Sequence, residues 1–512
     1  MKSSSTPDVV VIGSGLGGLV AAALLARYGK SVVVFESHAI PGGAAHGFSR
    51  QGFRFDSGPS FFSGLGDRIS RNPLRQVLDI LEESVAAIAY DPLGYYHLPE
   101  GTLPVHRQLA DYRRAVARFT VPGAQELEAF VQRLLKLYKP LSQIPSLGLR
   151  PDFGVVPFLL RYPQALLSLL PQLGAVQKSA GHLLDQTVRD PWVRQLIDLE
   201  CFLLSGLDAH GTIAPEVAFV FGERETASVD YPLGGSEALV NALVRGLQKW
   251  GGELRLGSHV DKILVEAGRT TGVRLKSGEV IPAATVISNA TLWDTYRHLL
   301  QPEDLSTTFR ESALATPAVN SFMHLHLGID GAGLDDLAVH HVVVHSRDRD
   351  LEAPGNTCMI SIPSVLDPDL APVGKHVIHV YSLEPWADWQ RDPTYAQRKR
   401  ERAEPLYQAL AKVIPDIHDR LEVELIGTPL THQRFLRRHQ GTYGPAIAAD
   451  QGLFPDYSTP IAGLLRVGDS TLPGIGVPAV TASGILAANS LVPSWQTAKL
   501  VDSLRSLWGR SQ

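Results

Sequence analysis

Two runs of apolar residues near the start of the chain enclose a glycine-rich turn and a helix. Positions 9–12 are Val-Val-Val-Ile and positions 32–35 are Val-Val-Val-Phe, and runs this short are typical of buried strands. Between them, Leu16 opens a small-residue segment that is long enough for a helix. The pattern predicts a strand, a turn, a helix and a second strand that ends at a carboxylate.

The turn carries three glycines, Gly13, Gly15 and Gly18, with the spacing of a dinucleotide-binding fingerprint. The first permits a tight turn, the second lets the backbone approach a pyrophosphate, and the third lets the helix pack closely on the strand. The pyrophosphate then lies against free N–H groups at the helix start. Glu36 follows about 20 residues later, where a carboxylate accepts hydrogen bonds from ribose hydroxyls. The predicted dinucleotide site comprises Gly13, Ser14, Gly15, Leu16, Gly17, Gly18, Glu36 and Ser37.

A second strand–loop–helix pattern lies at the other end of the chain. A short apolar run at 464–467 is followed by Gly468-Asp469, a glycine- and proline-rich loop, and a small-residue helix up to Leu491. Asp469 can bind a polyol hydroxyl, or it can be a buried carboxylate that caps the helix. An NAD-dependent dehydrogenase needs only the first cradle. FAD extends beyond the pyrophosphate through ribitol to isoalloxazine, so two cradles favour FAD.

The chain between these signals divides into a helical part and a strand-rich part. Helical patterning extends over about 100–222, with a break at Pro122-Gly123. Alternation typical of short strands begins at about 252, and the buried run 286–290 ends in a small-residue loop. Alternating runs between 321 and 381 predict a second, partly antiparallel sheet.

Leucines and aromatic residues dominate the stretch 153–174, which Pro157, Pro163 and Pro171 divide into short pieces. One interpretation is a helical cap that faces the core of a substrate domain. The other is a surface that dips into the bilayer interface and admits a lipid substrate. Because apolar runs of about 18 residues are absent from the sequence, we expect no spanning helix.

The chain totals narrow the class of protein. With 512 residues, 44% hydrophobic and 19% charged, the chain has ample material for more than one core. The net charge of −5 comes without a basic run, so we expect no nucleic-acid partner. Cys201 and Cys358 are too far apart for a redox or zinc motif, and we expect two buried thiols. Positions 1–7 lack the apolar segment of a secretory leader, so we expect a protein that is not secreted.

With both ends considered, the chain resembles the carotenoid isomerase branch of the phytoene desaturase and retinol saturase flavoprotein superfamily. The resemblance covers nearly the full length. Beyond the N-terminal fingerprint it rests on the segments 41–44, 55–60, 231–236, 288–294, 431–438, 441–445 and 468–479.

The resemblance implies an α/β fold in which a discontinuous Rossmann-type FAD-binding domain holds an inserted substrate domain of mixed β-sheet and helices. The expected FAD domain comprises 1–99, 223–299 and 440–512, and the substrate or membrane-facing domain comprises 100–222 and 300–439. By matching positions, Gly42, Gly43 and Ala44 line the phosphate and ribityl path, the backbone of Val260 meets adenine, and Asp469 holds ribitol or pyrophosphate. The remaining positions implied for the cofactor site are Ser57, Gly58, Pro59, Asn289, Gly468, Gly476, Val477, Pro478 and Ala479.

Catalytic side chains are not identified by the sequence, because the flavin itself carries the chemistry. Asp56 is a candidate near the flavin but can equally be a turn-former at a strand end. Arg434 can anchor a polar end group or the charge of the reduced flavin, and it can equally belong to a solvated helix face. His324 and His326 share one face of a strand, but a third ligand at a recognisable spacing is missing, so we predict no metal site.

The expected function is cis–trans isomerisation of a long apolar isoprenoid, most simply a poly-cis-carotene, by an enzyme with reduced FAD. Alternatives are desaturation or saturation of a carotenoid, retinoid or prenyl-quinone, and a non-catalytic protein that binds flavin and pigment during assembly. A flavin amine oxidase would need an aromatic cage that the sequence does not reveal. We expect a peripheral location on the cytoplasmic or plastid side of a membrane, and an external electron donor or acceptor such as a quinone.

Overall fold

The computed structural model describes residues 6–67 and 69–509. Our expectation about a leader falls mostly on positions 1–5, which lie outside the described residues. In chain order the strands are β1 (Val9–Ile12), β2 (Val32–Phe35), β3 (Gly47–Arg50), β4 (Phe53–Asp56), β5 (Phe62–Ser63), β6 (Ala87–Ala89), β7 (Gly94–Leu98), β8 (Gly101–Val105), β9 (Val229–Pro232), β10 (Glu253–Arg255), β11 (Val260–Glu266), β12 (Arg269–Leu275), β13 (Val280–Pro282), β14 (Thr285–Ser288), β15 (Ser321–Asp330), β16 (His340–Val344), β17 (Thr357–Ser361), β18 (Lys375–Glu384), β19 (Leu421–Gly427) and β20 (Leu464–Arg466).

The α-helices follow the same numbering by position along the chain. They are α1 (Leu16–Arg27), α2 (Pro73–Leu81), α3 (Leu109–Val116), α4 (Val121–Ser142), α5 (Val155–Leu159), α6 (Pro163–Leu169), α7 (Leu173–Val176), α8 (Ala180–Thr187), α9 (Pro191–Ser205), α10 (Ala214–Thr226), α11 (Gly235–Lys249), α12 (Leu292–Asp294), α13 (Thr307–Leu314), α14 (Tyr395–Ala411), α15 (Pro429–Leu436), α16 (Val477–Ser490) and α17 (Ser494–Gly509).

A five-stranded parallel sheet, in the order β10-β2-β1-β14-β20, joins the two ends of the chain. Successive residues of β1 enter different cores: Val9 and Val11 pack on one face, and Val10 and Ile12 on the other. Burial on both faces explains why the strand is apolar throughout. Because β14 lies between β1 and β20, the loops that follow these three strands meet at one edge of the sheet.

The second sheet has seven strands in the order β19-β15-β18-β17-β16-β7-β8, antiparallel except for the β16–β7 pair. The expectation of a partly antiparallel second sheet is confirmed. The hairpin of β7 and β8 crosses the expected domain boundary at 99/100, because both of its strands belong to this sheet.

Helices α3–α10 form the helical part, and their starts follow the sequence signals. The Thr120 side chain accepts a hydrogen bond from the Gly123 N–H and caps α4. The Asp190 side chain accepts from two backbone N–H groups and caps α9, which ends at Gly206 in the left-handed region. This region is helical as expected, with the exception of β8. Cys201 and Cys358 are buried free thiols, which confirms that expectation.

Helices α5–α7 are the short pieces that the prolines predict, and much of their apolar side faces outward. Phe153, just before α5, is 93% exposed. The exposed apolar side chains of this segment, called here the leucine-rich surface, are Phe153, Val156, Leu160, Leu167, Leu170 and Leu173. Part of the segment also faces the core, because Phe158 and Ala165 are buried. Among the described residues, we find no helix with the length and apolar character needed to cross a bilayer.

Candidate active site

A cavity of about 1000 Å³ lies where the loops after β1, β14 and β20 meet elements of the seven-stranded sheet and α15. Most residues predicted for the cofactor line this cavity, although they come from both ends and the middle of the chain. These are Gly13, Gly15, Leu16, Gly17, Glu36, Ser37, Gly42, Gly43, Ala44, Ser57, Gly58, Pro59, Val260, Asn289, Gly468, Asp469, Gly476 and Val477. The predicted residues Ser14, Gly18, Pro478 and Ala479 do not line it.

Glycines occupy most positions at the start of α1, where the helix meets the cavity. Its N-cap, Gly15, offers no side-chain acceptor, so the first N–H groups of the helix remain available to an anion. A Cβ on Gly15 would lie 2.5 Å from the Asn289 Nδ2, and one on Gly17 would lie 2.9 Å from the Gly468 N. The backbone therefore approaches the cavity more closely than any other residue type would allow.

Glu36 stands at the end of β2 and organises the glycine turn. One carboxylate oxygen accepts hydrogen bonds from the Ser14 N–H at 2.8 Å and the Ser14 hydroxyl at 2.7 Å. The other accepts from the His38 N–H at 2.7 Å and the Ser37 hydroxyl at 3.2 Å. Ser14 thus supports the site through Glu36, because its own side chain is fully buried.

Two further glycine-containing loops line the cavity, and the first packs directly on the turn, where the Gly42 N–H donates to the Ser14 carbonyl at 3.0 Å. Gly42 has a φ of +115° and Gly43 a φ of +56°, conformations that favour glycine. A Cβ on Gly58 would lie 2.2 Å from the Ala44 carbonyl oxygen, so the two loops touch directly. The Ser57 hydroxyl donates to the carbonyls of Ala44 at 3.0 Å and His46 at 2.8 Å, which fixes the second loop on the first.

The loop after β20 and the start of α16 form the C-terminal part of the cavity lining. The carboxylate of Asp469 pairs with the Arg438 guanidinium at 2.6 Å, and both side chains are mostly buried. Helix α16 begins after Gly476, whose φ is +100°, and its start lacks a side-chain cap. Gly476 and Val477 line the cavity, whereas Pro478 and Ala479 lie one step further into the helix.

The two candidate catalytic side chains lie away from the cavity lining. The Asp56 carboxylate is buried and accepts three hydrogen bonds, from the Tyr231 hydroxyl and from the backbone and hydroxyl of Ser236. Burial raises the pKa of Asp56 despite these hydrogen bonds. The contacts favour the structural role, in which Asp56 ties β4 to the start of α11. Arg434 is exposed on α15, and its guanidinium lies over the Phe435 ring.

Sequence reasoning did not identify the side of the cavity that faces away from the nucleotide cradle. The aromatic side chains Phe322, Tyr381 and Tyr443 meet there edge to face, with Phe322 centroid distances of 5.7 and 5.5 Å to the two tyrosines. The other lining residues from α9, the turn after it and the seven-stranded sheet are Phe202, Leu203, Gly206, His324, Met359 and Leu383. They come from separated strands and a helix, so only the strand alternation of 321–326 hinted at them.

These observations fit FAD. Two helix starts without side-chain caps face one cavity, glycines let the first of these starts pack against Asn289 and Gly468, and a carboxylate lies at the expected ribose position. A single mononucleotide would use only one of the two cradles. The fold and site define an FAD-dependent flavoenzyme.

The chain belongs to the family described as flavin containing amine oxidoreductase, whose profile matches residues 16–492. Within it, prolycopene isomerase 2, chloroplastic, of an Oncidium hybrid cultivar is 34% identical over 496 residues, which cover 94% of this chain and 83% of that protein. Phytoene desaturase (neurosporene-forming) of Rhodobacter capsulatus is 27% identical over 506 residues, covering 94% and 93%. The chain is therefore an FAD-dependent enzyme of the carotenoid isomerase and phytoene desaturase type.

The solved structures support the same fold. An oxidoreductase from Methanosarcina mazei aligns with a TM-score of 0.60 and 22% identity, and the alignment covers 94% of this chain and 99% of that one. At this identity the likeness concerns the arrangement of the two sheets and the helices. The expected fold class, a Rossmann-type FAD domain with an inserted substrate domain, is confirmed.

Proposed function

We propose that this enzyme isomerises cis double bonds of a long apolar polyene, most simply a poly-cis-carotene, to trans. The observation that carries the proposal is the division of the cavity. One side is a polar cradle for a dinucleotide, and the other side is apolar and aromatic. The similarity to prolycopene isomerases supports the choice of substrate class.

The apolar side suits a hydrocarbon because its ionisable side chains are uncharged. These side chains include His324, Tyr381, His432 and Tyr443. Burial lowers the pKa values of the two histidines and raises those of the two tyrosines, so all four are neutral near pH 7. A neutral, aromatic wall binds a polyene without burying an unpaired charge.

When bound and reduced, FAD supplies electron density that weakens a conjugated double bond enough for rotation. The residues of this chain then have three tasks. The glycine turns fix the dinucleotide, the aromatic group around Phe322 orients the polyene, and the apolar wall excludes water from the space between them. Net redox change is not required, although an external donor, such as a quinol, must keep the cofactor reduced.

The nearest alternative is desaturation or saturation of a carotenoid, retinoid or prenyl-quinone. The similarity to phytoene desaturase favours it, and the same apolar wall would serve that reaction. A protein that binds flavin and pigment without turnover is the third possibility.

An anaerobic assay with a defined cis-carotene in liposomes distinguishes these functions. Purified enzyme with chemically reduced FAD should yield trans product of unchanged mass, and enzyme with oxidised FAD should yield none. A mass change of two hydrogens would establish desaturation or saturation, and bound pigment without product would establish the assembly role.

A matched pair of variants tests whether the apolar wall contributes. Met359→Gln places an amide in the wall and should lower kcat/KM for the carotene about 10-fold or more while FAD content stays unchanged. Val373→Gln makes the same type of change at a fully exposed site and should have no effect. Equal activity of the two variants would argue against substrate binding on this side.

We also propose that the leucine-rich surface docks on the bilayer on the cytoplasmic or plastid side. Between Phe153 and Lys178 the chain contains no carboxylate and two cations, Lys178 and Arg161, of which Arg161 pairs with Asp502 of α17. Exposed leucines among short helices suit the interface of a membrane. A carotene dissolved in that membrane would then be within reach of the enzyme.

Flotation with anionic vesicles tests this docking. Replacing Leu160, Leu167 and Leu170 by serine should reduce vesicle binding about 10-fold or more, because each leucine loses its apolar area at the interface. Replacing the exposed Val121, Val280 and Val373 by serine is the matched control and should leave binding intact. If both triple variants bind as the unmodified protein does, the surface does not dock.

A further inference from the structure

Three histidines from two adjacent strands form a buried cluster beside the cavity. His324 and His326 lie on the same face of β15, and the register places His379 of β18 directly opposite His326. All three are buried, and one ring nitrogen of each lies within 4.8 Å of those of the other two. The third ligand that the sequence lacked is therefore supplied by strand pairing.

The nitrogens of this cluster lack hydrogen-bond partners. The buried Nε2 atoms of His324 and His326, and both ring nitrogens of His379, accept and donate no hydrogen bond among the described residues. Buried polar atoms in proteins are nearly always paired, so several adjacent exceptions require an explanation. A metal ion that accepts their lone pairs is one such explanation.

The protonation state suits ligation. Burial and the neighbouring imidazoles lower the pKa of His324 and His326 well below the usual range, and burial lowers the pKa of His379 to about 3. The rings are thus neutral near pH 7 and keep a lone pair for a metal. The backbone of Asp56 is hydrogen bonded to the His326 ring, a support that metal-binding histidines commonly have.

We propose that His324, His326 and His379 bind one divalent transition-metal ion of the Zn²⁺ or Fe²⁺ type. Three neutral imidazoles suit such borderline ions, whereas Ca²⁺ and Mg²⁺ require oxygen ligands. Tetrahedral bonds of about 2.0–2.1 Å place ligand nitrogens about 3.4 Å apart. The spacing of up to 4.8 Å therefore closes by modest side-chain rotation.

Three protein ligands leave a fourth coordination position, which faces the cavity side of the cluster. His324 itself lines the cavity, and His432 of α15 lines it next to His324, with stacked rings 5.7 Å apart. The Nε2 of His432 is also buried without a partner. Water or His432 can occupy the fourth position, so the ion would lie in the cavity wall near the flavin compartment.

Metal titration of tag-free holoenzyme, loaded with FAD and treated with chelator, tests the proposal. We expect one equivalent of Zn²⁺ per chain with an apparent Kd below about 1 µM, and the same stoichiometry for Fe²⁺ under anaerobic conditions. X-ray absorption of the Zn²⁺ complex should show three or four imidazole nitrogens at about 2.0–2.1 Å. Failure of both ions to bind, or fewer than three imidazoles around the bound ion, would overturn the proposal.

Variants identify the ligands. His379→Gln and His326→Gln should each weaken Zn²⁺ binding about 100-fold or more, since even residues that only support a ligand contribute 10–100-fold. His376→Gln is the matched control: it lies on β18 three residues before His379 and bonds the Ser364 hydroxyl instead. Unchanged affinity in a folded His379→Gln holoenzyme would show that the histidines pack only as aromatic rings. If the variant does not fold, the number of imidazole ligands seen by X-ray absorption of the unmodified enzyme tests the proposal by itself.

Discussion

At the scale of single residues, the glycines of the first turn have different roles. Gly15 and Gly17 keep side chains out of the cavity, whereas Gly18 lies on the far side of the turn and does not line it. A Cβ on Gly18 would lie 2.4 Å from the Gly13 carbonyl oxygen. Gly18 therefore sets the distance between α1 and β1, and its effect on the cofactor is transmitted through that packing.

Gly18→Ala should destabilise the protein by about 1–3 kcal/mol and reduce retained FAD, because the methyl group forces α1 away from β1. Urea unfolding and the flavin absorbance per chain measure the two effects. Gly174→Ala is the control, since an added Cβ there meets nothing within 4 Å and its φ is compatible with alanine. Normal stability and FAD content in Gly18→Ala would contradict this packing role.

A half-buried carboxyl gives stability a pH dependence of known sign. Burial raises the pKa of Glu216, in the first turn of α10, from its ordinary 4.5 to about 7. The folded state holds this proton more tightly than the unfolded state does. The resulting stabilisation is complete below pH 4.5 and is lost as the pH rises through about 7.

Glu216→Gln removes that loss, so the variant should gain on the unmodified protein by about 1–2 kcal/mol between pH 5 and pH 8. Urea midpoints of both proteins at several pH values measure the difference. Glu311→Gln, at an exposed position on α13, controls for general effects of charge. A difference that is constant with pH would show that Glu216 does not titrate in this range.

At the scale of elements, α15 couples the two sheets to the C-terminal cradle. The helix follows β19 of the seven-stranded sheet, and after it Arg438 pairs with Asp469 in the loop that follows β20. The Arg438 Nε also donates to the Thr442 carbonyl at 3.0 Å. One side chain therefore holds two loops at the cavity, which the run of cations at 434–438 could not reveal by itself.

Arg438→Gln should lower FAD affinity about 10-fold, because Asp469 and the loop at 442 lose their common partner. Arg434→Gln removes an exposed cation from α15, four residues before Arg438, and should leave FAD affinity unchanged. Fluorescence titration of the flavin-free proteins with FAD measures both. Equal losses in the two variants would mean that net charge, rather than the ion pair, controls binding.

At the scale of the whole molecule, one cofactor connects segments that are more than 400 residues apart. The loops after β1 and β20 lie near each other because a single strand, β14 from the middle of the chain, lies between β1 and β20 in the sheet. A Cβ on Gly484 of α16 would lie 2.6 Å from the Gly17 carbonyl, so the two cradle helices also touch. Both ends must then form a single binding unit.

Hydrogen exchange should show this unit directly. FAD should slow exchange in 13–18, 42–46 and 468–480 together, since bound ligand stabilises only the state in which all three are assembled. Helix α14 packs in a separate core and should exchange equally with and without FAD. Protection confined to the N-terminal turn would contradict the joint cradle.

Elements with local signals could be predicted from the order of the amino acids alone. The parallel strands, the glycine turn, Glu36 and the small-residue helix α16 follow from burial on both strand faces, backbone space and helix-start chemistry, each of which acts over a few neighbouring residues. The proline-divided pieces at 153–174 are likewise local. Local signals do not specify whether their leucines face the core or the solvent, because exposure depends on which distant segments pack against these helices.

Contacts between residues on distant strands became visible only in the folded structure. The pairing of β15 with β18 brings His379 to His324 and His326. The hairpin β7–β8 joins a sheet whose other strands begin more than 200 residues further along the chain. The carboxylate of Asp56 turned to Tyr231 and Ser236, away from the cavity lining. Strand register and partner choice depend on contacts between distant segments, and a linear pattern of apolar and polar residues does not specify them.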